Sequence, residues 1–220
     1  MDLVFPASAP ATVSVAGGGA FPVHRIYCVG RNYAEHAVEM GHSGREPPFF
    51  FLKPADAVVP VPAGETGAMA YPTLTANLHH EIELVVALGE GGAIFGYAVG
   101  LDMTRRDLQN EMKKQGRPWS IGKAFEQSAP IGPIVPIAQT GELTAGAITL
   151  DVNGQRRQTG DLRDLIWSVA ETIDKLREAW TLRAGDLIFT GTPAGVGAVQ
   201  RGDLMTGRIA GLPELSVRVV

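Results

Sequence analysis

Glu81 and Glu83 stand two residues apart in the run Leu78-His79-His80-Glu81-Ile82-Glu83-Leu84-Val85-Val86-Ala87-Leu88. The density of Ile, Leu and Val predicts a strand that enters a core. Side chains alternate along a strand, so both carboxylates point the same way. Like charges side by side among apolar neighbours repel each other and lose hydration, so a cation is expected between them. A hard divalent ion with oxygen ligands, Mg²⁺ above all, suits that donor set. The competing reading is a solvated edge strand carrying two surface carboxylates, since charged residues are mostly exposed.

Further residues could join such a centre. Asp102 ends a second predicted strand just before a helix start, and with Glu81 and Glu83 it would make a three-carboxylate metal site with room for water or a bidentate substrate. His36 and Glu39 lie three apart on a short predicted helix and share a face. A carboxylate beside an imidazole suits general-base activation of water. The glycine-rich stretch after them predicts a mobile lid over about residues 33–46. Arg106 and Gln109, also three apart, could bind a carboxylate or oxyanion. Lys123 is a cation in an apolar setting, Trp119-Ser120-Ile121-Gly122-Lys123-Ala124-Phe125. The loop at 191–197 is glycine-rich, but no Gly-Lys-Ser/Thr follows, which excludes a P-loop. It suits close backbone approach to a small ligand, with Thr192 donating a hydrogen bond. His79 and His80 alternate faces and lack partners at a zinc spacing, so they read as structural.

The elements that must position these groups are mostly strands. Strands are expected near residues 26–29, 49–53, 78–88, 95–102, 186–190 and 215–220. Asn153-Gly154, flanked by the segments 148–152 and 156–159, marks a hairpin. Thr104 reads as the N-cap of a helix through Arg106. A longer helix is expected over 162–180, where Leu165, Ile166, Val169, Ile173, Leu176 and Trp180 recur near a 3.6 period, with Asp161 as its cap. Many strands without βαβ alternation argue a β-rich α+β fold. Residues 1–24 read as an N-terminal strand and linker, and residues 25–220 as the main domain.

Composition bounds the function. The chain has 220 residues and a net charge of −4, which gives no electrostatic case for nucleic acid or an anionic membrane. No run approaches the roughly 20 apolar residues of a membrane span. There is no signal-peptide pattern at the N-terminus, so a cytoplasmic protein is expected. The single cysteine, Cys28, lies in Ile26-Tyr27-Cys28-Val29 and reads as a buried, inert thiol.

Taken together, the chain resembles the fumarylacetoacetate hydrolase family. The resemblance rests on Tyr27-Cys28-Val29-Gly30-Arg31-Asn32-Tyr33, His36-x-x-Glu39, Phe51-Leu52-Lys53-Pro54, His80-Glu81-Ile82-Glu83, Gly100-Leu101-Asp102-Met103-Thr104-x-Arg106-Asp107-x-Gln109, Lys123 and Thr190-Gly191-Thr192-Pro193-x-Gly195-Val196-Gly197. These pieces run in family order from about residue 25 to the C-terminus. The resemblance implies a β-roll-like fold with short helices, a homodimer and a Mg²⁺ or Mn²⁺ site held by Glu81, Glu83 and Asp102. It implies a water-activating dyad of His36 and Glu39, a catalytic Lys123, and substrate contacts from Arg31, Arg106, Gln109 and Thr192. The segment Gly89-Glu90-Gly91-Gly92-Ala93-Ile94 is shorter than the corresponding segment usual in the family.

The implied chemistry is cleavage of the C–C bond of an acylpyruvate. The N-terminal part most resembles bacterial fumarylpyruvate hydrolases of gentisate breakdown. Oxaloacetate decarboxylation or isomerisation of a 2-oxo acid is the alternative within the family. From another class, a non-catalytic β-rich module with a structural cation would leave His36, Glu39 and Lys123 incidental. Chelation separates that reading, because a structural ion would change the melting temperature with no turnover to lose.

Overall fold

The computed structural model describes residues 3–33 and 45–220. His36, Glu39 and most of the expected lid lie outside the described residues. The described strands form four sheets. The largest has eight strands, ordered Phe50–Lys53, Arg25–Val29, Asp186–Phe189, Ile82–Leu88, Ile94–Leu101, Ala129–Ile131 and Val58–Pro60, with Val135–Pro136 paired beside Ile94–Leu101. A five-stranded sheet runs Gln155–Asp161, Ala147–Val152, Leu204–Ile209, Leu215–Val219 and Thr66–Met69. A three-stranded sheet joins Thr104–Arg105, Leu78–His80 and Gly197–Val199.

Strand periodicity explains how the layers stack. Central strands of the large sheet are buried on both faces, so they read as continuous apolar runs. Leu84, Val86 and Leu88 face one core, together with Ile148, Leu150, Met205 and Val217 of the five-stranded sheet. The intervening Val85 and Ala87 face a second core with Ile26, Cys28 and Phe189. That second core is closed by Val13 and Phe21 from the antiparallel pair Thr12–Ser14 and Ala20–Pro22. By the same alternation Glu83 falls on the second face, at the end of its strand. Cys28 is fully buried there, and burial pushes its thiol well above the ordinary value, as expected of an inert group. The fold is therefore β-rich α+β with a few short helices.

Three local expectations are corrected. The run 78–88 is two strands, Leu78–His80 and Ile82–Leu88, which belong to different sheets and part at Glu81. Thr104 is no helix cap: the helix is Arg106–Gln115, and the Thr104 hydroxyl donates to the Asp102 carbonyl at 3.1 Å. The apolar stripe at 162–180 is not one helix. Asp161 caps a 3₁₀ turn, Leu162–Asp164, and a Ser168–Glu171 capping box starts a separate helix, Val169–Arg177. Between them Asn32 holds the chain out of helical geometry, its carbonyl accepting from Ile166 N and its Oδ1 from Trp167 N. The expected hairpin forms between Ala147–Val152 and Gln155–Asp161, and Asn153 and Gly154 both take the positive φ its turn demands. The short 89–94 segment closes as a tight turn in which Gly89 N donates to the Ala93 carbonyl at 2.7 Å.

Candidate active site and metal centre

The sheet switch at Glu81 builds the centre. Asp102 follows the strand Ile94–Leu101, which pairs antiparallel with Ile82–Leu88 so that Glu83 lies opposite Gly100. Asp102 N then donates to the Glu81 carbonyl at 2.9 Å and locks the two chains together. Carboxylate oxygens of Glu81, Glu83 and Asp102 come within 4.8 Å of one another, and all three residues are buried.

Three cations surround two of these carboxylates. Lys123 Nζ donates to Glu81 Oε2 at 2.9 Å, Asp102 Oδ2 at 2.6 Å and Thr104 Oγ1 at 2.6 Å. It reaches them because its short helix, Ser120–Lys123, packs tightly on Arg106–Gln115. A Cβ at Gly122 would stand 2.9 Å from the Gln109 backbone nitrogen. Arg106 donates to Glu81 Oε1 and, at 2.5 Å, to Gln109 Oε1, so the expected pair does share one face. Lys53 Nζ lies 2.8 Å from Asp102 Oδ1 and donates to the Met103 carbonyl at 3.1 Å.

Glu83 differs from its two neighbours. Its Oε2 accepts from Gly191 N at 2.8 Å, and no cation among the described residues pairs with it. Burial, then Asp102 and Glu81, push its carboxyl well above the usual range. Burial acts on Glu81 in the same direction, but Lys123 and Arg106 outweigh it and hold Glu81 below the usual range. Burial works against the Lys123 ammonium, yet Asp102 and Glu81 keep it above its ordinary value, so it stays charged.

The 191–197 loop is pinned beside Glu83. Gly191 takes a φ of +100° and packs on Asn32, where a Cβ would meet the Asn32 Cβ at 2.7 Å. Asn32 Nδ2 donates to the Thr190 carbonyl at 2.8 Å. Gln158, fully buried, donates from Nε2 to Thr192 Oγ1 at 2.8 Å, which leaves the Thr192 hydroxyl proton free for another acceptor. Gln158 Oε1 binds both His80 Nδ1 at 2.9 Å and Ile82 N at 3.1 Å. His80 therefore braces the strand switch. Burial and, after it, Arg106 push His79 down to about 4, so it is neutral near pH 7.

A cavity of about 600 Å³ opens beside the cluster, lined by Arg31, Phe49, Phe51, Arg117, Trp119 and Lys123. A tight space of about 20 Å³ shares Arg31, Trp119 and Lys123 with it and is bounded by Glu81, Arg106, Gln109 and Lys113. Arg31, expected at the site, thus lines the cleft; its Nη1 lies 3.8 Å from Glu46 Oε2, and its buried Nε has no hydrogen-bond partner among the described residues.

Lys53, Gln158, Asn32 and Lys113 carry no role in the sequence reading. Lys53 had a signal, a cation inside the apolar strand Phe50–Lys53. Gln158 and Asn32 act through partners 34 and 135 residues away, so no local spacing marks them.

Three comparisons agree with this architecture. The family described as "Fumarylacetoacetate (FAA) hydrolase C-terminal" matches residues 25–220. The crystal structure of fumarylpyruvate hydrolase from Pseudomonas aeruginosa in complex with Mn²⁺ and pyruvate is 58% identical, with a TM-score of 0.97 over 100% of this chain and 99% of that one. Fumarylpyruvate hydrolase from a Ralstonia species is 45% identical over 79% of this chain and 93% of its own length. Oxaloacetate tautomerase YcgM of Escherichia coli is 40% identical over 84% of this chain and 88% of its own length. The chain belongs to the fumarylacetoacetate hydrolase family.

Proposed function

We propose that the protein is a metal-dependent hydrolase that cleaves fumarylpyruvate to fumarate and pyruvate. The observation that carries this reading is Glu83, a buried carboxyl that no cation among the described residues pairs with, beside two that have cations, in a chain 58% identical to a fumarylpyruvate hydrolase.

The donor set fits a divalent ion. Glu81, Glu83 and Asp102 would hold it, all through oxygen, as Mg²⁺ or Mn²⁺ prefers. Fully ionised, these three carboxylates balance Lys53, Lys123 and Arg106. A divalent cation therefore adds two uncompensated charges, which a doubly charged reacting 2-oxo acid would cancel. Once bound, the ion would supply Lewis acidity toward the carboxylate and keto oxygens of such a substrate.

The chain's own groups supply the rest. His36, oriented by Glu39, takes a proton from water, and the water oxygen bonds to the acyl carbonyl carbon. The bond between that carbon and the pyruvyl methylene carbon breaks. Its electron pair stays with the pyruvyl fragment as an enolate, and a proton delivered to the methylene carbon completes pyruvate. Lys123, held in its charged form, stabilises the developing negative charge, and the proton taken up by His36 is the one returned to the methylene carbon. Gln109, whose carbonyl is taken by Arg106, keeps its amide free to donate to the substrate. The Thr192 hydroxyl and Arg31 are the remaining substrate contacts.

A second reading, keto–enol interconversion of oxaloacetate, is favoured by the 40% identical tautomerase. It uses the same enolate and needs no attacking water. The deciding experiment measures turnover of fumarylpyruvate, acetylpyruvate and oxaloacetate with Mg²⁺ and with Mn²⁺. Acylpyruvate cleavage that EDTA abolishes is expected. Oxaloacetate interconversion without any acylpyruvate cleavage would replace the first reading by the second. A homodimer in the cytoplasm, serving gentisate breakdown, belongs to the same proposal, and light scattering on the purified protein tests the dimer.

A further inference from the structure

Lys53 lies beneath the carboxylate cluster rather than in the cleft. Its side chain is 0% exposed, and it lines neither the large cavity nor the tight space beside it. It ends the strand Phe50–Lys53, where it stands opposite Ile26, and the following Pro54 keeps its backbone extended. A lysine ammonium has three donors and no acceptor. Two of these go to backbone carbonyls, those of Met103, next to Asp102, at 3.1 Å and of Lys123. The charge itself stands 2.8 Å from Asp102 Oδ1 but off the line of a hydrogen bond, so that oxygen has no donor among the described residues.

The Lys123 carbonyl needs this partner. Lys123 is the last residue of the short helix Ser120–Lys123, and the last carbonyls of a helix have no partner within it. At its other end Lys123 reaches Asp102 Oδ2 with its ammonium at 2.6 Å. The contacts therefore close a ring. Lys53 holds the backbone of Lys123, the Lys123 side chain holds one oxygen of Asp102, and Lys53 faces the other. Buried Phe125 packs against this junction, its ring centroid 5.5 Å from Lys53 Nζ and 4.4 Å from the Arg105 guanidinium. Buried ion pairs can often be replaced by apolar residues without loss of stability, so the ring is better explained by what it places than by what it stabilises.

We propose that Lys53 is a positioning residue, which fixes the Lys123 backbone against the Asp102 strand end and so aims the Lys123 ammonium at the oxygens of a bound 2-oxo acid. Lys53 itself touches no substrate. The inference rests on the reading of the site as a metal-assisted 2-oxo acid centre, and it holds for acylpyruvate cleavage and oxaloacetate interconversion alike.

The test needs no turnover. Oxalate, a mimic of the pyruvate enolate, is titrated by calorimetry into the Mn²⁺-loaded protein and its variants. Lys123→Met should weaken oxalate binding by roughly tenfold, the worth of one charge-assisted hydrogen bond. Lys53→Met should weaken it by about threefold or more when Lys123 is present, and by much less in the Lys123→Met background, where no ammonium is left to misplace. Lys53→Gln, neutral like the Met variant but able to donate to a carbonyl, should recover part of the loss, and only with Lys123 present. If the Met variant does not fold, the Gln variant alone should show the same dependence on Lys123. Mn²⁺ affinity should not fall in either Lys53 variant, because a cation beside a ligand carboxylate has been removed. Unchanged oxalate affinity, a loss of equal size with and without Lys123, or a parallel loss of Mn²⁺ would overturn the proposal. Fumarylpyruvate turnover is measured separately. Its absence, with the dependence on Lys123 intact, would defeat the hydrolase reading and leave the role of Lys53 standing.

Discussion

Asp186 and Glu83 sit on adjacent strands of one sheet, 0% and 1% exposed, and their surroundings are opposite in kind. Asp186 accepts from Arg25 Nη2 at 2.9 Å and Nε at 3.1 Å, from Arg183 N at 2.9 Å, and it meets His24 Nδ1 at 2.8 Å. Its charge is matched and its oxygens are filled. Glu83, at the other end of the strand pair, has one backbone donor, two carboxylates beside it and, among the described residues, no cation paired with it. A buried charge that only holds a fold is paired, because an unpaired one costs several kcal/mol. Glu83 has no such match among the described residues: burial and its two carboxylate neighbours push its carboxyl well above the usual range, so it favours the protonated form, and a cation bound there would restore its charge. The cleft repeats the imbalance with the opposite sign at Lys113.

The largest expected effect breaks the Glu83 side. Glu83→Gln should lower metal-dependent turnover by more than about 10³, the several kcal/mol that a Lewis-acid centre contributes. The melting temperature without metal should not fall, because the substitution removes an unmatched carboxyl. Turnover close to wild type after exhaustive EDTA treatment would show that the carboxylates hold no catalytic ion. His36→Ala comes next, with an expected loss on the order of 10² to 10⁴ in acylpyruvate cleavage and nearly unchanged Mn²⁺ affinity. Oxaloacetate interconversion should fall less. Equal losses in both reactions would give His36 a positioning role rather than water activation.

The Asp186 side should respond in stability alone. Asp186→Asn leaves Arg25 and His24 without their counter-charge and should cost on the order of 3 kcal/mol in urea unfolding. Mn²⁺ affinity of the folded variant should stay within experimental error. A variant that unfolds normally but loses metal would mean that the two ends of the sheet are coupled, and the contrast between them would fail.

How far the sequence reveals this contrast depends on distance along the chain. Glu81, Glu83 and Asp102 are legible because strand alternation and a strand end place them, and alternation survives even where the strand breaks at Glu81. Arg106 and Gln109 are legible from helical spacing. The break itself is not legible, since Leu78 to Leu88 is evenly apolar and the partners that divide it, Gly197–Val199 and Asp186–Phe189, lie about a hundred residues downstream. The helix expected over 162–180 fails for the same reason: its apolar period is real, but Asn32 bonds the chain at Ile166 and Trp167 from 135 residues away. Lys113 looks like an ordinary lysine in sequence, and Lys53 stands out only as a cation ending an apolar strand. Only the packing of Phe125 and Trp119 against them shows that neither is simply solvated.

The smallest expected effect concerns pH and the cationic side of the cleft. Lys113 is pushed down to about 8 by burial first and Arg106 next, while Glu81 pulls the other way. A lysine whose value is lower in the folded chain than in the unfolded one binds fewer protons when folded. It therefore opposes folding below about pH 8, and that cost is relieved as pH rises toward the ordinary lysine value. The stability of the wild type relative to Lys113→Met should therefore rise between about pH 8 and 10, by no more than about 1 kcal/mol because the ammonium is only half-buried. Urea unfolding of both proteins across that range reads the effect. A difference that stays constant with pH would place the titrating group elsewhere in the cleft.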